Sequence, residues 1–551
     1  MPEQEIFSPV VNSSSTQLDD LVFSKKKSVV STEENIDEKA SDGHQSGVKL
    51  LFIMIALMLS IFLASTDETI VATALGAIVD DFGSSGEVTW IAASYLLTMT
   101  AFQPLYGKFS DIFGRKITLL FALTLFLIGS IGCGLAPSII VLIIFRAFAG
   151  IGSGGLISLS FIIISDVVPM VQRGVYQGII SATFALANVA GPLLGGVLTD
   201  YVNWRWVFYI NIPIVVVAAI VIVFLLPKLR GDGSKLNDLV ARVDFLGTII
   251  LVSGTITLTL GLNWGGRTYP WSSAQVISCI VVGAALLMAF ILVEKYYAKE
   301  PVIPGRLFTR NAILASVNAF MYCIPFFSTI YYWPLYHQTV QNKTAFEAGL
   351  ELLPALLGVC SFSVASGLLA RRFRSYRPIM RFGSAMILVG VSLMALLRLD
   401  ITRAELVIYP LLIGGGIGFN IQLSMTCSQL AVAASDAAMI TSFISFAQTL
   451  GGVFGLAIVG SIYNNVLFTS LTDNLPGENI TNLLNKLNNL DSLSSGVREQ
   501  VIYSYLQAYR TLFLSMIPFC VIGFICTLAF ENIPLQNHSE TEKVAENPTE
   551  S

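Results

Sequence analysis

Charge is what this chain has least of. Asp, Glu, Lys and Arg make up 12% of 551 residues, about half the ~25% usual in soluble globular proteins. Histidine is nearly absent: His44, His337 and His538 are the only three. They are too far apart in sequence to suggest a metal cluster, and no metal is expected. The seven cysteines (133, 279, 323, 360, 427, 520 and 526) all lie in apolar runs without zinc or redox spacing, so they read as small core residues. No Gly-x-x-x-x-Gly-Lys-Ser/Thr sequence occurs, which argues against a phosphate cradle and an ATP-driven pump. Neither a cofactor nor enzymatic activity nor a nucleic-acid partner is expected. The net charge of −4 is uninformative, because the acids collect in the tails. No cleavable leader is visible. The first 48 residues are rich in Ser, Glu and Lys and read as a disordered tail.

Long apolar runs are what the chain has in abundance. It is 54% hydrophobic with a mean hydropathy of +0.72. Fourteen spans are read, at roughly 50–75, 88–106, 116–136, 138–165, 175–199, 206–227, 244–262, 275–295, 311–334, 347–369, 378–397, 405–427, 438–463 and 510–530. Runs near 20 residues match the ~30 Å of hydrocarbon in a bilayer, so the fold class is an all-α polytopic membrane protein. Lys and Arg are about twice as frequent in the loops shared with the N-terminus, among them Lys108, Arg115, Lys116, Arg371, Arg372 and Arg374, as in the others. That places both tails in the cytosol. The outer side then holds a long polar loop over 464–508 and two glycosylation sequons, at Asn342 and Asn479.

Glycines recur at a common offset. Gly150 and Gly152 echo Gly414 and Gly416, 264 residues on. Asn188, Gly191 and Gly195 echo Gln448, Gly451 and Gly455, 260 on, and Gly107 with Phe113 echoes Gly367 with Phe373, again 260 on. Ordered matches of this kind imply two related six-helix halves. The expected division is therefore a tail to 48, a first half over 49–227, a two-helix insertion with its flanking loops over 228–310, a second half over 311–530, and a cytosolic tail over 531–551.

Between the second and third spans lies a charged loop, Gly107-Lys-Phe-Ser-Asp111-Ile-Phe-Gly114-Arg115-Lys116. It resembles the cytosolic loop motif of the major facilitator superfamily. Arg146 with Gly150 and Gly152 resembles that family's fourth-helix motif, and Gly191-Pro192-Leu-Leu-Gly195-Gly196 its fifth-helix antiporter motif. Asp67-Glu-Thr-Ile-Val-Ala-Thr-Ala-Leu75 resembles the first-helix motif of the fourteen-helix drug:proton antiporter group, and Trp204-Arg-Trp-Val-Phe208 with Asn211 and Pro213 is typical of helix six. Gly76 departs from the pattern, where the group usually has proline. Arg371 stands in the second half where Asp111 stands in the first.

The resemblance covers about residues 50–530 and implies alternating access, with a solute and protons as partners and a monomer in the bilayer. The run Ala101-Phe-Gln-Pro-Leu-Tyr-Gly107 and the Asp67 motif are similar to fungal vacuolar amino-acid transporters. Those are implied to load amino acids, often basic ones, into the vacuole in exchange for protons. Multidrug export at the plasma membrane is the alternative, and a non-transporting nutrient sensor on the same scaffold a third reading. For Asp111 and Arg115 the resemblance implies gating, with Asp111 near the start of a second-half helix and Arg115 paired with an acid; Asp166 is the candidate partner.

Depth along the helices selects the remaining candidates. Asp67 lies about 25 Å into the first span and Arg146 about 12 Å from the outer end of the fourth, at 1.5 Å per residue, so the two match in depth. A carboxylate and a guanidinium inside a membrane need each other or water. Asp67 and Arg146 are expected to face one cavity and to couple electrostatically, directly or through water, with Asp67 in a proton or substrate role. Glu68, about 100° further round, faces elsewhere and is a second candidate. Asn188 and Gln448 are polar at matching depths and could line the central path. Tyr331, Tyr332 and Trp333 read as an interfacial aromatic belt.

Overall fold

The structure is a computed structural model that describes residues 47–82, 89–227, 242–266, 269–298, 300–343, 345–433, 436–475 and 495–531. Nearly all of the tail read over 1–48 and all but the first residue of the tail read over 531–551 fall outside these residues, as does Asn479. The described residues are almost wholly helical. Fourteen long helices follow in order: α1 Val48–Phe82, α2 Thr89–Phe113, α3 Arg115–Gly134, α4 Ile139–Val167, α5 Met170–Tyr201, α6 Asn211–Leu225, α7 Phe245–Trp264, α8 Ala274–Tyr296, α9 Arg310–Thr339, α10 Leu353–Phe373, α11 Arg377–Met394, α12 Arg403–Leu430, α13 Ala437–Asn474 and α14 Ser495–Ala529. Single turns at Trp206–Tyr209 and Ala345–Leu350 lead into α6 and α10. Thirteen of these segments are long and apolar enough to cross a membrane. The other, α2, carries Lys108 and Asp111 in its last turns.

Two expectations about helix ends need correction. Residues 107–113, read as loop, continue α2, and only Gly114 interrupts the chain before α3. Gly114 has φ 89°, a left-handed value that costs a side-chain-bearing residue far more than glycine. The hairpin is therefore made by one residue. The long outer loop read over 464–508 is mostly helix as well: α13 runs on to Asn474 and α14 starts at Ser495. Ser470 accepts from Asn474 (3.1 Å), and Asn474 donates to Ser504 of α14 (2.9 Å) while Ser470 donates to Gln507 (3.0 Å). Main-chain hydrogen bonding does not stop where the apolar pattern stops, and these pairs dock the polar extensions on each other.

The glycine repeats do equivalent work in both halves. A Cβ on Gly150 would meet the Tyr95 carbonyl of α2, and one on Gly152 the Ala122 carbonyl of α3. A Cβ on Gly414 would meet the Ala355 carbonyl of α10, and one on Gly416 the Gly383 carbonyl of α11. Gly191 and Gly195 press on Thr66, Thr69 and Ile70 of α1, as Gly451 and Gly455 press on Phe320 and Ile324 of α9. Small residues at these points let backbones touch, where dispersion rather than the hydrophobic effect holds membrane helices together.

At the end carrying Asp111 the first six helices meet the last six directly. The site of a Cβ on Gly107 is 2.8 Å from Ser442 Oγ and 2.9 Å from the Ala438 carbonyl of α13, and one on Gly367 of α10 would lie 2.4 Å from the backbone of Gly174 in α5. At the opposite end α1 and α5 part from α9 and leave a cleft of about 680 Å³.

Candidate functional site

Asp67 and Arg146 meet. Both side chains are 1% exposed, and they form an ion pair through Asp67 Oδ2 and Arg146 Nη1. Asn211 Nδ2 donates to the other carboxylate oxygen at 2.9 Å, and Arg146 also donates to the backbone carbonyls of Asp67 (3.3 Å) and Ile91 (3.2 Å). The guanidinium carbon sits 4.2 Å from the centroid of the Tyr95 ring. A charge inside the membrane needs such saturation, since every unpaired donor or acceptor there costs desolvation with no return. Glu68, the next residue, is half-buried, and its Oε2 has no hydrogen-bond partner.

Asn188 and Gln448 are not brought together. Asn188 donates to the Phe184 carbonyl of its own helix (2.9 Å) and lines the cleft, whereas Gln448 donates to the Tyr322 hydroxyl (2.6 Å). The fifth-helix motif divides by face. Gly191 and Gly195 pack on α1, while Pro192 and Gly196 line the cleft. The aromatic belt reading is corrected: Trp333 is fully buried and stacks on Tyr336 at 5.4 Å, Tyr332 is buried, and Tyr331 lines the cleft. Asn342 is exposed with φ 53°. Among the described residues no group of His, Cys, Asp or Glu could hold a metal ion.

The Gly107–Lys116 segment is knotted by ion pairs. Arg115 is wholly buried and pairs with Asp166 of α4 and with Asp111, each at 2.7 Å, and it donates to Ser110 Oγ at 2.7 Å. The partner picked from sequence is therefore the one in contact. Contact with the start of a second-half helix is made at Gly107, against Ala438 and Ser442 of α13. Arg371 is exposed.

Two features escaped the sequence. The first is a buried amide cluster that joins the halves at the Asp111 end. Gln177 of α5 donates to Ser165 (3.1 Å) and Gln429 (3.4 Å), Gln429 of α12 donates to Ser165 and to Thr441 of α13 (2.8 Å each), and Thr426 donates to Gln177 (3.2 Å). The i, i+4, i+7 spacing of Gln422, Thr426 and Gln429 marks a polar stripe that could have been noticed. The second is a strap formed by residues 300–307. Glu300 bridges Lys108 of α2 and Arg242 before α7, at 2.9 Å each, and Arg306 forms a two-pronged pair with Asp436 before α13 at 2.7 and 2.8 Å. Ile303 between them packs on two apolar clusters, one around Leu105 and Leu251, the other around Leu307 and Met439. Burial pulls the Glu300 carboxyl up, but hydrogen bonds from Lys108 and Arg242 outweigh it and hold the group below the usual carboxylate range.

Among the described residues, fourteen long helices pack so that corresponding glycines join corresponding helices, with a buried ion pair at Asp67, two residues along α1 from Thr69 in the cleft wall, and this is the architecture of a membrane transporter. The model of the Major Facilitator Superfamily matches residues 57–456, and the chain belongs to that family of membrane transporters. "Efflux pump aflT" of Aspergillus parasiticus is 36% identical over 447 residues, 80% of this chain and 86% of that protein. "MFS-type efflux pump MFS1" of Arthroderma benhamiae is 35% identical over 439 residues, 79% and 82% of the two chains. Among solved structures, the human organic anion transporter MFSD10 aligns with a TM-score of 0.54 at 13% identity, covering 86% of this chain and all of that one. The proton:xylose symporter XylE aligns at 0.52 and 15%, covering 86% of this chain and 96% of that one. At these identities both show the fold alone. Both of these relatives are named as efflux pumps and neither as a vacuolar amino-acid transporter.

Proposed function

We propose that this protein exports apolar small organic molecules from the cytosol in exchange for protons, by alternating access, at the plasma membrane. The observation that carries this is the lining of the cleft. Sixteen residues line it, including Pro192, Val197, Tyr331 and Leu335, and none is charged. Its volume falls in the range of roughly 300–1,000 Å³ typical of sites for drug-sized molecules. A basic amino acid would carry two or three charges against walls that offer none, at a desolvation cost not returned by pairing. Relatives named as efflux pumps lend support. In this reading Asp67, Glu68 and Arg146 form the coupling centre, with Asp111, Gly114, Arg115 and Asp166 holding the cytosolic gate. Gly191 and Gly195 keep α5 sealed on α1, and Asn188 supplies a polar contact for the solute.

The test uses purified protein in proteoliposomes with an imposed pH gradient, offered rhodamine 6G or labelled lysine. Gradient-dependent movement of the dye and none of lysine is expected, with a fluorescent fusion at the cell surface. Lysine movement with the fusion on the vacuole would restore the amino-acid reading.

A further inference from the structure

Two acids stand side by side on α1 in very different surroundings. Asp67 is closed off, one oxygen paired with Arg146 and the other bonded to Asn211. A proton on Asp67 would strand the buried guanidinium without its counter-ion, which is the costly way to break such a pair. Glu68 has no such tie: its Oε2 is buried and meets no partner. One turn before it, on the same face, the buried Ser65 hydroxyl also meets none. The charged and titratable groups around Glu68 are Asp67 on its own helix, Arg146 on α4 and Tyr95 on α2. Asn188 on α5 and Asn211 on α6 are uncharged amides.

An ionised Glu68 would add a second negative charge beside a cation that Asp67 already neutralises, and would leave a buried oxygen with no donor. Protonation removes the second charge, and the oxygen that still lacks a partner is then neutral and far less costly to bury. The next residue, Thr69, lines the cleft, so the carboxyl stands one residue from its wall.

We propose that Glu68 is the residue that takes up and releases the coupling proton, with the Asp67–Arg146–Asn211 cluster as its fixed frame. The proposal rests on the proton-coupled reading given above. A proton from water in the cleft adds to the Glu68 carboxylate to give the neutral acid. When access switches, the same proton leaves for water at the Asp111 end and the carboxylate returns. Only an O–H bond forms and breaks.

Infrared difference spectroscopy of the purified protein, titrated with pH, reads the protonated carboxyl directly and needs no substrate. The wild type is expected to show a titrating carboxylic-acid C=O band that is lost in Glu68→Gln, kept in Asp67→Asn, and kept at a shifted position in Glu68→Asp. The Glu68→Asp variant separates loss of the proton site from loss of folding. A band that survives in Glu68→Gln, or no titrating band in the wild type, overturns the proposal. In parallel, gradient-driven rhodamine 6G movement is expected to vanish in Glu68→Gln. If the wild type moves no solute under a gradient, the exporter reading falls, while the infrared titration still decides for or against Glu68.

Discussion

Arg146 is the residue on which the first half of the molecule turns. It reaches from α4 to Asp67 on α1 and to the Ile91 carbonyl on α2, so three helices share one guanidinium. Arg146→Leu leaves Asp67 buried and unpaired, and thermal unfolding in detergent is expected to show a loss of about 3–5 kcal/mol. Asp67→Asn should cost a similar amount. The double variant should cost clearly less than the sum, because the second change removes the stranded charge; additive losses would mean that the two groups do not interact. This pair was legible in the sequence. Charges are rare in the spans, so two at equal depth have few alternatives. The Arg115–Asp166 pair was legible for a related reason, the resemblance having supplied the need for an acid. The contrast between Asp67 and Glu68 was not legible, because it depends on where Asn211 lands from 144 residues away.

Helix ends and their ties set the next scale. Apolar periodicity located all fourteen helices but placed the C-terminal end of α2 and the N-terminal end of α14 many residues short. The omitted turns are polar, and several of their side chains are held by partners elsewhere in the chain, Lys108 by Glu300 and Ser504 by Asn474. The 300–307 strap was invisible for the same reason, as it joins Lys108 to Asp436 through two loops. Glu300→Gln should weaken its hold on Lys108 and Arg242. In a background with the native cysteines replaced, a Ser442→Cys thiol beneath Gly107 should then be alkylated faster than with Glu300 present; an unchanged rate would show that the strap holds nothing. The pH dependence has a definite sign. The Glu300 carboxyl is held below its usual range, so the strap's contribution is complete above the ordinary Glu value of about 4.3 and is lost as pH falls through the depressed one. The thiol's own titration cancels in the ratio of alkylation rates between the Glu300→Gln and Glu300 proteins, so that ratio should be constant near neutrality and fall toward one only in acid. At the other inter-half contact, Gly367→Leu would drive a side chain into the backbone of Gly174. It is expected to abolish transport while the protein still folds, with the Asp111 end held open to a thiol reagent; normal transport would contradict the contact.

At the scale of the whole molecule, one end is shut and the other open. The shut end is made of small, separable parts: glycine contacts at Gly107 and Gly367, the Gln177–Gln429 amides and the strap. Together these contacts join the first six helices to the last six at that end. The glycine contacts were legible because the repeated glycines follow nearly equal offsets, and each glycine of a pair packs on the helix that corresponds to its mate's. The solute was not legible, because the cleft draws its lining from four separate stretches of chain. The most direct measurement is the pair of distances that alternating access must trade. Spin labels at Val197 and Gln338 lie on the cleft lining, and labels at Arg173, next to Gly174, and Arg371, one turn past Gly367, flank the contact at the shut end. Pulsed electron spin resonance across a pH titration should show the first distance shrinking as the second grows. Distances that stay fixed, or that change in the same direction, would contradict the account.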